Sequence, residues 1–191
     1  MPIGVLALQG DFREHISTLT SLGVDSIEVR TVSDMEKSTG LIIPGGESTA
    51  IQKLAMNFGL LEPIRSAIRD GLPTFGTCAG LIMLADEILD GISGQVGFGG
   101  LDISVRRNAF GNQLESFETQ LTFEGISGSK IEAAFIRAPI VERVGEGVQI
   151  LSKLDDGRVV AVRNETILGI SFHPEISGEK RVHEYFVGMI S

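Results

Sequence analysis

A single cysteine, Cys78, occurs in 191 residues. No internal disulfide and no multi-cysteine zinc site can form, and a reducing compartment is the natural setting. Cations are scarce as well: sixteen Lys plus Arg stand against twenty-five Asp plus Glu, a formal charge of −9. Nucleic-acid affinity rests on clustered cations against phosphate, so neither DNA nor RNA is the expected partner. The opening run Met1-Pro2-Ile3-Gly4-Val5 lacks the basic flank and long apolar core of a signal peptide. No apolar run reaches membrane-spanning length, which predicts a cytoplasmic chain without a membrane partner. There is no repeat, no Pro/Gly/Ser-rich linker and no cluster of residues at metal-ligand spacing. One domain over residues 1–191 is expected, with no metal and no cofactor.

Glycine, by contrast, is abundant: 24 of 191 residues against a usual share of about 7%. Much of it punctuates the first half. Gly4 to Leu8 leads into Gln9-Gly10, Leu41 to Ile43 into Pro44-Gly45-Gly46, and Pro73 to Phe75 into Gly76. Each short apolar run is followed by a stretch with helical spacing: Ile51, Leu54 and Ala55 behind a Ser48 or Thr49 cap; Leu61, Ile64, Ala67 and Ile68; and Leu81, Leu84, Ala85 and Ile88 after Gly80. Strand, glycine turn and helix in alternation specify a parallel sheet with helices on both faces. The second half predicts strands at Leu101 to Val105, Phe117 to Phe123, Ile131 to Ile136 and Thr166 to Phe172, a hairpin about Asp155-Asp156-Gly157, and a closing helix from Arg181 to Ile190. The expected fold is α/β and flavodoxin-like, a mostly parallel central sheet with antiparallel additions.

An isolated cysteine is usually a small buried hydrophobe. Cys78, however, sits in Gly76-Thr77-Cys78-Ala79-Gly80 between an apolar strand and an apolar helix. Gly-x-Cys-x-Gly at such a junction has the form of a nucleophile elbow, and the helix amides behind it favour thiolate. A cysteine acting on an amide needs a base. Of the three histidines, His15 beside Glu14 and His183 beside Glu184 read as solvated surface groups. His173 directly follows a strand and precedes Pro174-Glu175, so Glu175 can fix its tautomer while it takes the cysteine proton. The turn Pro44-Gly45-Gly46-Glu47-Ser48-Thr49 lacks the lysine and spacing of a phosphate loop. Its glycines allow a backbone N–H to meet a forming oxyanion, and Gly46 with Ala79 would make an oxyanion hole.

Taken together, these three segments resemble class I, triad-type glutamine amidotransferases, and more closely the family of glutaminase subunits of pyridoxal phosphate synthase. Further marks are Gly4 to Gly10 with Glu14-His15, Arg107 to Gly111, Glu115 to Glu118, and Phe135-Ile136-Arg137-Ala138-Pro139. The resemblance implies hydrolysis of L-glutamine to glutamate and ammonia through a thioester, with ammonia delivered to a barrel-type synthase (lyase) subunit for pyridoxal 5'-phosphate, vitamin B6, biosynthesis. Carried over by position, Cys78 is the nucleophile, His173 the base and acid, and Glu175 its orienting partner. Gly46, Glu47, Ser48, Arg107, Ile136 and Arg137 match the glutamine-binding positions, with Arg106 beside Arg107 as the rival for the substrate carboxylate. Asn112, where the family usually has a basic residue, and the glycine-rich stretch Gly91 to Gly100 depart from the pattern. Competing readings are the glutaminase subunit of another amidotransferase, such as imidazole glycerol phosphate synthase, a free-standing cysteine hydrolase, and a binding module whose cysteine is structural. Arg107 and the Phe135 segment favour the pyridoxal phosphate synthase family over another amidotransferase, and the Pro-Gly-Gly and His-Pro-Glu pairing is one that a free-standing cysteine hydrolase lacks.

Overall fold

The computed structural model describes residues 1–108 and 116–190. Five strands form the parallel part of a large curled sheet: β1 (Ile3–Leu6), β2 (Ser26–Val29), β3 (Leu41–Ile43), β4 (Thr74–Thr77) and β12 (Ile167–Ile170), in the order β2-β1-β3-β4-β12. β1, β3, β4 and β12 are buried along their whole length; β1, β3 and β12 accordingly read as near-continuous apolar runs, while β4 carries Thr74 and Thr77. The sheet continues antiparallel through β11 (Val159–Arg163) and β9 (Ile140–Val144) to β6 (Leu101–Arg106), which pairs in parallel with β5 (Ala85–Ile88). β10 (Gln149–Lys153) pairs with β11 as the hairpin expected around Asp155-Asp156-Gly157. A separate ribbon consists of β7 (Ser116–Leu121) and β8 (Ile131–Ile136).

Side chains on successive strand residues point to opposite faces, and the two faces carry two cores. Leu6, Leu41 and Ile43 pack with Ile51 of α3 (Ser48–Asn57), Ile64 and Ile68 of α4 (Leu61–Arg69), and the wholly buried α5 (Ala79–Leu84). Val5, Ile42 and Phe75 pack with Leu19 of α1 (Phe12–Ser21), Val182 and Phe186 of α7 (Arg181–Ile190), and Phe135 of β8. Two short helices, α2 (Val32–Glu36) and α6 (Pro174–Ser177), complete the chain. The expected α/β architecture, with helices on both faces and antiparallel additions, is the one observed.

Several expectations are corrected. The helix after Gly80 stops at Leu84 and the chain continues as β5, not as helix to Ile88. Residues 79–84 are apolar and buried on all sides, so spacing alone does not mark where the helix gives way to strand. The Met83 carbonyl accepts from the N–H groups of Phe98 and Gly99, tying the returning loop to the last helical turn. Helix α3 is capped by Glu47, whose carboxylate accepts from Thr49 and Ala50 N–H at 3.0 and 2.8 Å, and not by Ser48 or Thr49. His15 and His183 are fully buried instead of solvated. Helical spacing places His15 with Leu19 and His183 with Phe186 on the inward stripes of their helices, whatever the charge of Glu14 and Glu184 beside them.

Candidate active site

Because β1, β3, β4 and β12 run parallel, their carboxyl ends share one edge of the sheet, where open α/β folds gather reacting groups. Gln9-Gly10 follows β1, Gly45-Gly46 follows β3, Cys78 follows β4 and His173 follows β12. The register pairs Thr77 with Ile170, so Cys78 and His173 leave adjacent strands at nearly the same level.

Cys78 holds φ 51° and ψ −105°, a left-handed backbone that costs a non-glycine residue about 1–3 kcal/mol. Its N–H is pinned to the Ile170 carbonyl at 2.9 Å, and its own carbonyl accepts from Ile82 at 3.2 Å. The elbow brings α5 so close to β3 that a Cβ on Gly80 would overlap the Ile43 carbonyl oxygen. The sulfur of Cys78 lies 3.8 Å from the Ile136 carbonyl at the end of β8. His173 is tied to the same ribbon by its N–H, which donates to the Ala134 carbonyl at 2.8 Å.

The imidazole of His173 stands between Cys78 and Glu175. Its Nδ1 is 2.7 Å from Glu175 Oε1 and 3.6 Å from Asp11 Oδ2. Burial works against its charge, but hydrogen bonds to Cys78 and Glu175 outweigh that and push it up to about 10. For Glu175, burial raises the carboxyl above its ordinary range, against the pull of His173. The ligand-type atoms of Asp11, His173 and Glu175 lie within 4.8 Å of one another, and two of the three are already joined as a hydrogen-bonded pair.

The turn after β3 packs directly on the imidazole. Any Cβ at Gly45 would overlap His173 Cε1, and Gly46 has φ +147°, which favours glycine. The Gly45 carbonyl accepts from Asp11 N–H at 3.2 Å, while Glu47 N–H donates to Gln9 Oε1 at 2.8 Å. Around this turn the other expected residues converge. Arg107 donates to Gln95 Oε1 at 2.9 Å and lies 3.4 Å from Glu47 Oε1, and Ser48 Oγ accepts from Gln95 Nε2 at 2.9 Å. Burial raises the Glu47 carboxyl, but its hydrogen bonds to Thr49 and Ala50 and the charge of Arg107 bring it below its usual range. Arg106 faces elsewhere, bonded to Glu142. Arg137 follows Ile136 with φ 44° and an exposed side chain. Asn112, Ala109-Phe110-Gly111 and Glu115 lie outside the described residues.

Sequence reasoning passed over Asp11 and Gln95 as site residues. Asp11 had a usable signal, its position after Gly10 at the start of an amphipathic helix. Gln95 had none, since the stretch from Gly91 to Gly100 carries no periodicity.

A strained elbow cysteine, an imidazole–carboxylate pair and a double-glycine turn stand together at one sheet edge, a set of groups chemically able to attack an amide. The model of the SNO glutamine amidotransferase family matches residues 5–191, and the chain belongs to that family. The pyridoxal 5'-phosphate synthase subunit PdxT of Leifsonia xyli subsp. xyli is 58% identical over 185 residues, 97% of this chain and 93% of that protein. The subunit of the same name from Dehalococcoides mccartyi strain BAV1 is 55% identical over 189 residues, covering 99% of this chain and 97% of the relative. Among solved structures, a glutamine amidotransferase superposes with TM-score 0.93 at 46% identity, over 100% of this chain and 99% of the other. PurLQS from Thermotoga maritima shares the fold alone, with TM-score 0.71 at 19% identity and coverage of 100% and 99%.

Proposed function

We infer that this chain is the glutaminase subunit of a pyridoxal 5'-phosphate synthase, one domain over residues 1–191, working in the cytoplasm with a synthase subunit that receives its ammonia. Membership of the amidotransferase family and the names of its relatives support the activity and the partner. Among the described residues no helix is long and apolar enough to cross a membrane. The observation that carries the residue assignment is the placement of Cys78 and the His173–Glu175 pair on adjacent parallel strand ends.

In this reading the Cys78 sulfur, its proton resting on His173, attacks the carboxamide carbon of L-glutamine. N–H groups of Gly46 and Ala79 meet the developing oxyanion. His173 then passes its proton to the departing nitrogen, leaving a thioester on Cys78, and ammonia is released. Water attacks the thioester with neutral His173 as base, and glutamate leaves. Glu175 holds the imidazole in one tautomer and stabilises its charged form, in line with the raised proton affinity of His173. Arg107, half-buried beside Glu47 and Gln95, faces the site where Arg106 does not, and so takes the substrate carboxylate. Glu47, Ser48, Ile136 and Arg137 line the remaining polar contacts.

Cys78→Ser tests the assignment. Glutamate release from glutamine, measured with the synthase subunit present, is expected to vanish while partner binding persists, because a serine hydroxyl is far harder to deprotonate with the same base. Substantial turnover by the folded variant would remove Cys78 from the mechanism.

A further inference from the structure

The mechanism above uses one of three histidines. The other two are buried directly behind it. His15 Nδ1 lies 2.9 Å from His183 Nε2, and His15 Nε2 lies 3.2 Å from Thr77 Oγ1. The same Nε2 is 3.6 Å from Glu175 Oε1, the oxygen that bonds His173. Phe75 walls the pair, edge-on to both imidazole rings. Thr77 and Phe75 share a face of β4, so the strand that ends in Cys78 also shapes this chamber.

Two observations decide which nitrogens carry protons. His183 Nδ1 has no hydrogen-bond partner among the described residues, and an orphaned buried N–H is among the costliest polar defects. The proton of His183 therefore belongs on Nε2, donated to His15 Nδ1. Independently, a lone pair on His15 Nε2 would face the Glu175 carboxylate across 3.6 Å, and like partial charges at that distance repel. A proton on that nitrogen turns the contact attractive. Both arguments select the same chain: His183 Nε2–H to His15 Nδ1, and His15 Nε2–H toward Thr77 Oγ1 and Glu175 Oε1. Burial first, then the charges of His183 and His173, keep His15 from taking a second proton.

We propose that His15, locked by His183 in the Nε2–H tautomer, is a positioning residue that presents a neutral N–H dipole to Glu175 and keeps its Oε1 turned toward His173. The proposal rests on the triad reading, since it concerns how Glu175 is held. A neutral donor suits this place. An imidazolium there would compete with His173 for the carboxylate, and an apolar group would leave Oε1 with one donor and Oε2 with none, as Oε2 already lacks a partner among the described residues.

The test compares His15→Leu, which removes the N–H, with His15→Gln, whose side-chain amide can offer an N–H at the same place. Both are assayed in the complex with the synthase subunit, beside wild type and Cys78→Ser. His15→Leu is expected to lower kcat by roughly 10- to 100-fold, the usual cost of losing a group that orients a catalytic ligand, with KM within about twofold. The acid limb of its kcat profile should move to higher pH. The charged and titratable groups facing Glu175 would then be His173 and Asp11, and the carboxylate would hold its proton more tightly. His15→Gln should restore most of kcat and return the limb. Nitrogen–proton correlation NMR of labelled histidine in the wild type should show both His15 and His183 protonated on Nε2, a readout that does not depend on any variant folding. The opposite tautomers, or equal kcat in folded Leu and Gln variants, would overturn the proposal. Activity surviving Cys78→Ser would instead overturn the triad reading, so the two failures are distinct.

Discussion

Mild acid should destabilise this protein, and the same two histidines supply the reason. Burial pushes His183 down to about 4, and burial with two neighbouring imidazoles holds His15 well below its ordinary value. In the unfolded chain both titrate near 6.5. Groups depressed by folding contribute stability that is full above the unfolded value and lost as pH falls toward the folded one. By pH 5 an unfolded His183 is nearly all protonated while the folded one is still mostly neutral. At about 1.4 kcal/mol per pH unit the loss is about 2 kcal/mol, and His15 adds to it with the same sign. His173 opposes this. Its proton affinity is raised to about 10, so its contribution is complete below 6.5 and lost as pH rises toward 10; going from pH 7 to 5 it returns less than about 1 kcal/mol. Glu175, also raised, opposes as well, in the carboxylate range. The net loss exceeds about 1 kcal/mol at pH 5, a fall in Tm of at least about 2–4 °C for a chain of this size. Calorimetry at fixed ionic strength from pH 7 to 5 measures it, with His183→Phe expected to flatten the decline. A Tm that holds or rises over that range, or an equal fall in His183→Phe, would refute the reasoning.

Three further outcomes concern catalysis. Glu175→Gln should lower kcat by up to about 10⁴-fold with little change in KM, because it leaves the imidazole in the wrong tautomer and uncharged; an unchanged kcat in steady-state assays would make the carboxylate a loop residue. Arg107→Ala should raise KM for glutamine roughly 10- to 100-fold, the worth of one charge-assisted contact, whereas Arg106→Ala, whose guanidinium is engaged by Glu142, should leave KM alone. The Gly45-Gly46 peptide carries no side chain; its carbonyl accepts from Asp11 N–H, and the following peptide donates through Glu47 N–H to Gln9, so partner contact near Gln9-Gly10 can select the orientation that meets the oxyanion. The isolated subunit should therefore be slow and gain about 100- to 1,000-fold in kcat on adding synthase; equal turnover alone and in complex would dismiss this switch.

What was legible in the sequence follows from where physics acts locally. The fully buried β1, β3 and β12 announce themselves as apolar runs, and Gly45-Gly46 and Cys78-Ala79-Gly80 announce their turns, because only small residues fit those approaches. The short strands were harder. Ser26–Val29 and Ile140–Val144 carry polar residues and gain their pairing from neighbours far along the chain. His15 and His183 were misplaced because adjacent charged residues suggested water, although their spacing to Leu19 and Phe186 pointed inward. Choosing Arg107 over Arg106 by physics alone needed the tertiary structure, which shows one facing Gln95 and the other Glu142.

The pairing of β4 with β12 joins residues 74–77 to 167–170, so Cys78 and His173, the nucleophile and base of the proposed mechanism, meet only across about half the chain's length. Contacts this distant in sequence carry a large loop-closure entropy and form late. During synthesis, therefore, Cys78 leaves the ribosome well before His173 exists. A growing, truncated or partly unfolded chain holds an elbow cysteine with no base, and it cannot spill ammonia. Completing the central sheet is the step that arms the enzyme, which makes glutaminase activity a direct report on whether the last strand of the parallel sheet has been laid in place.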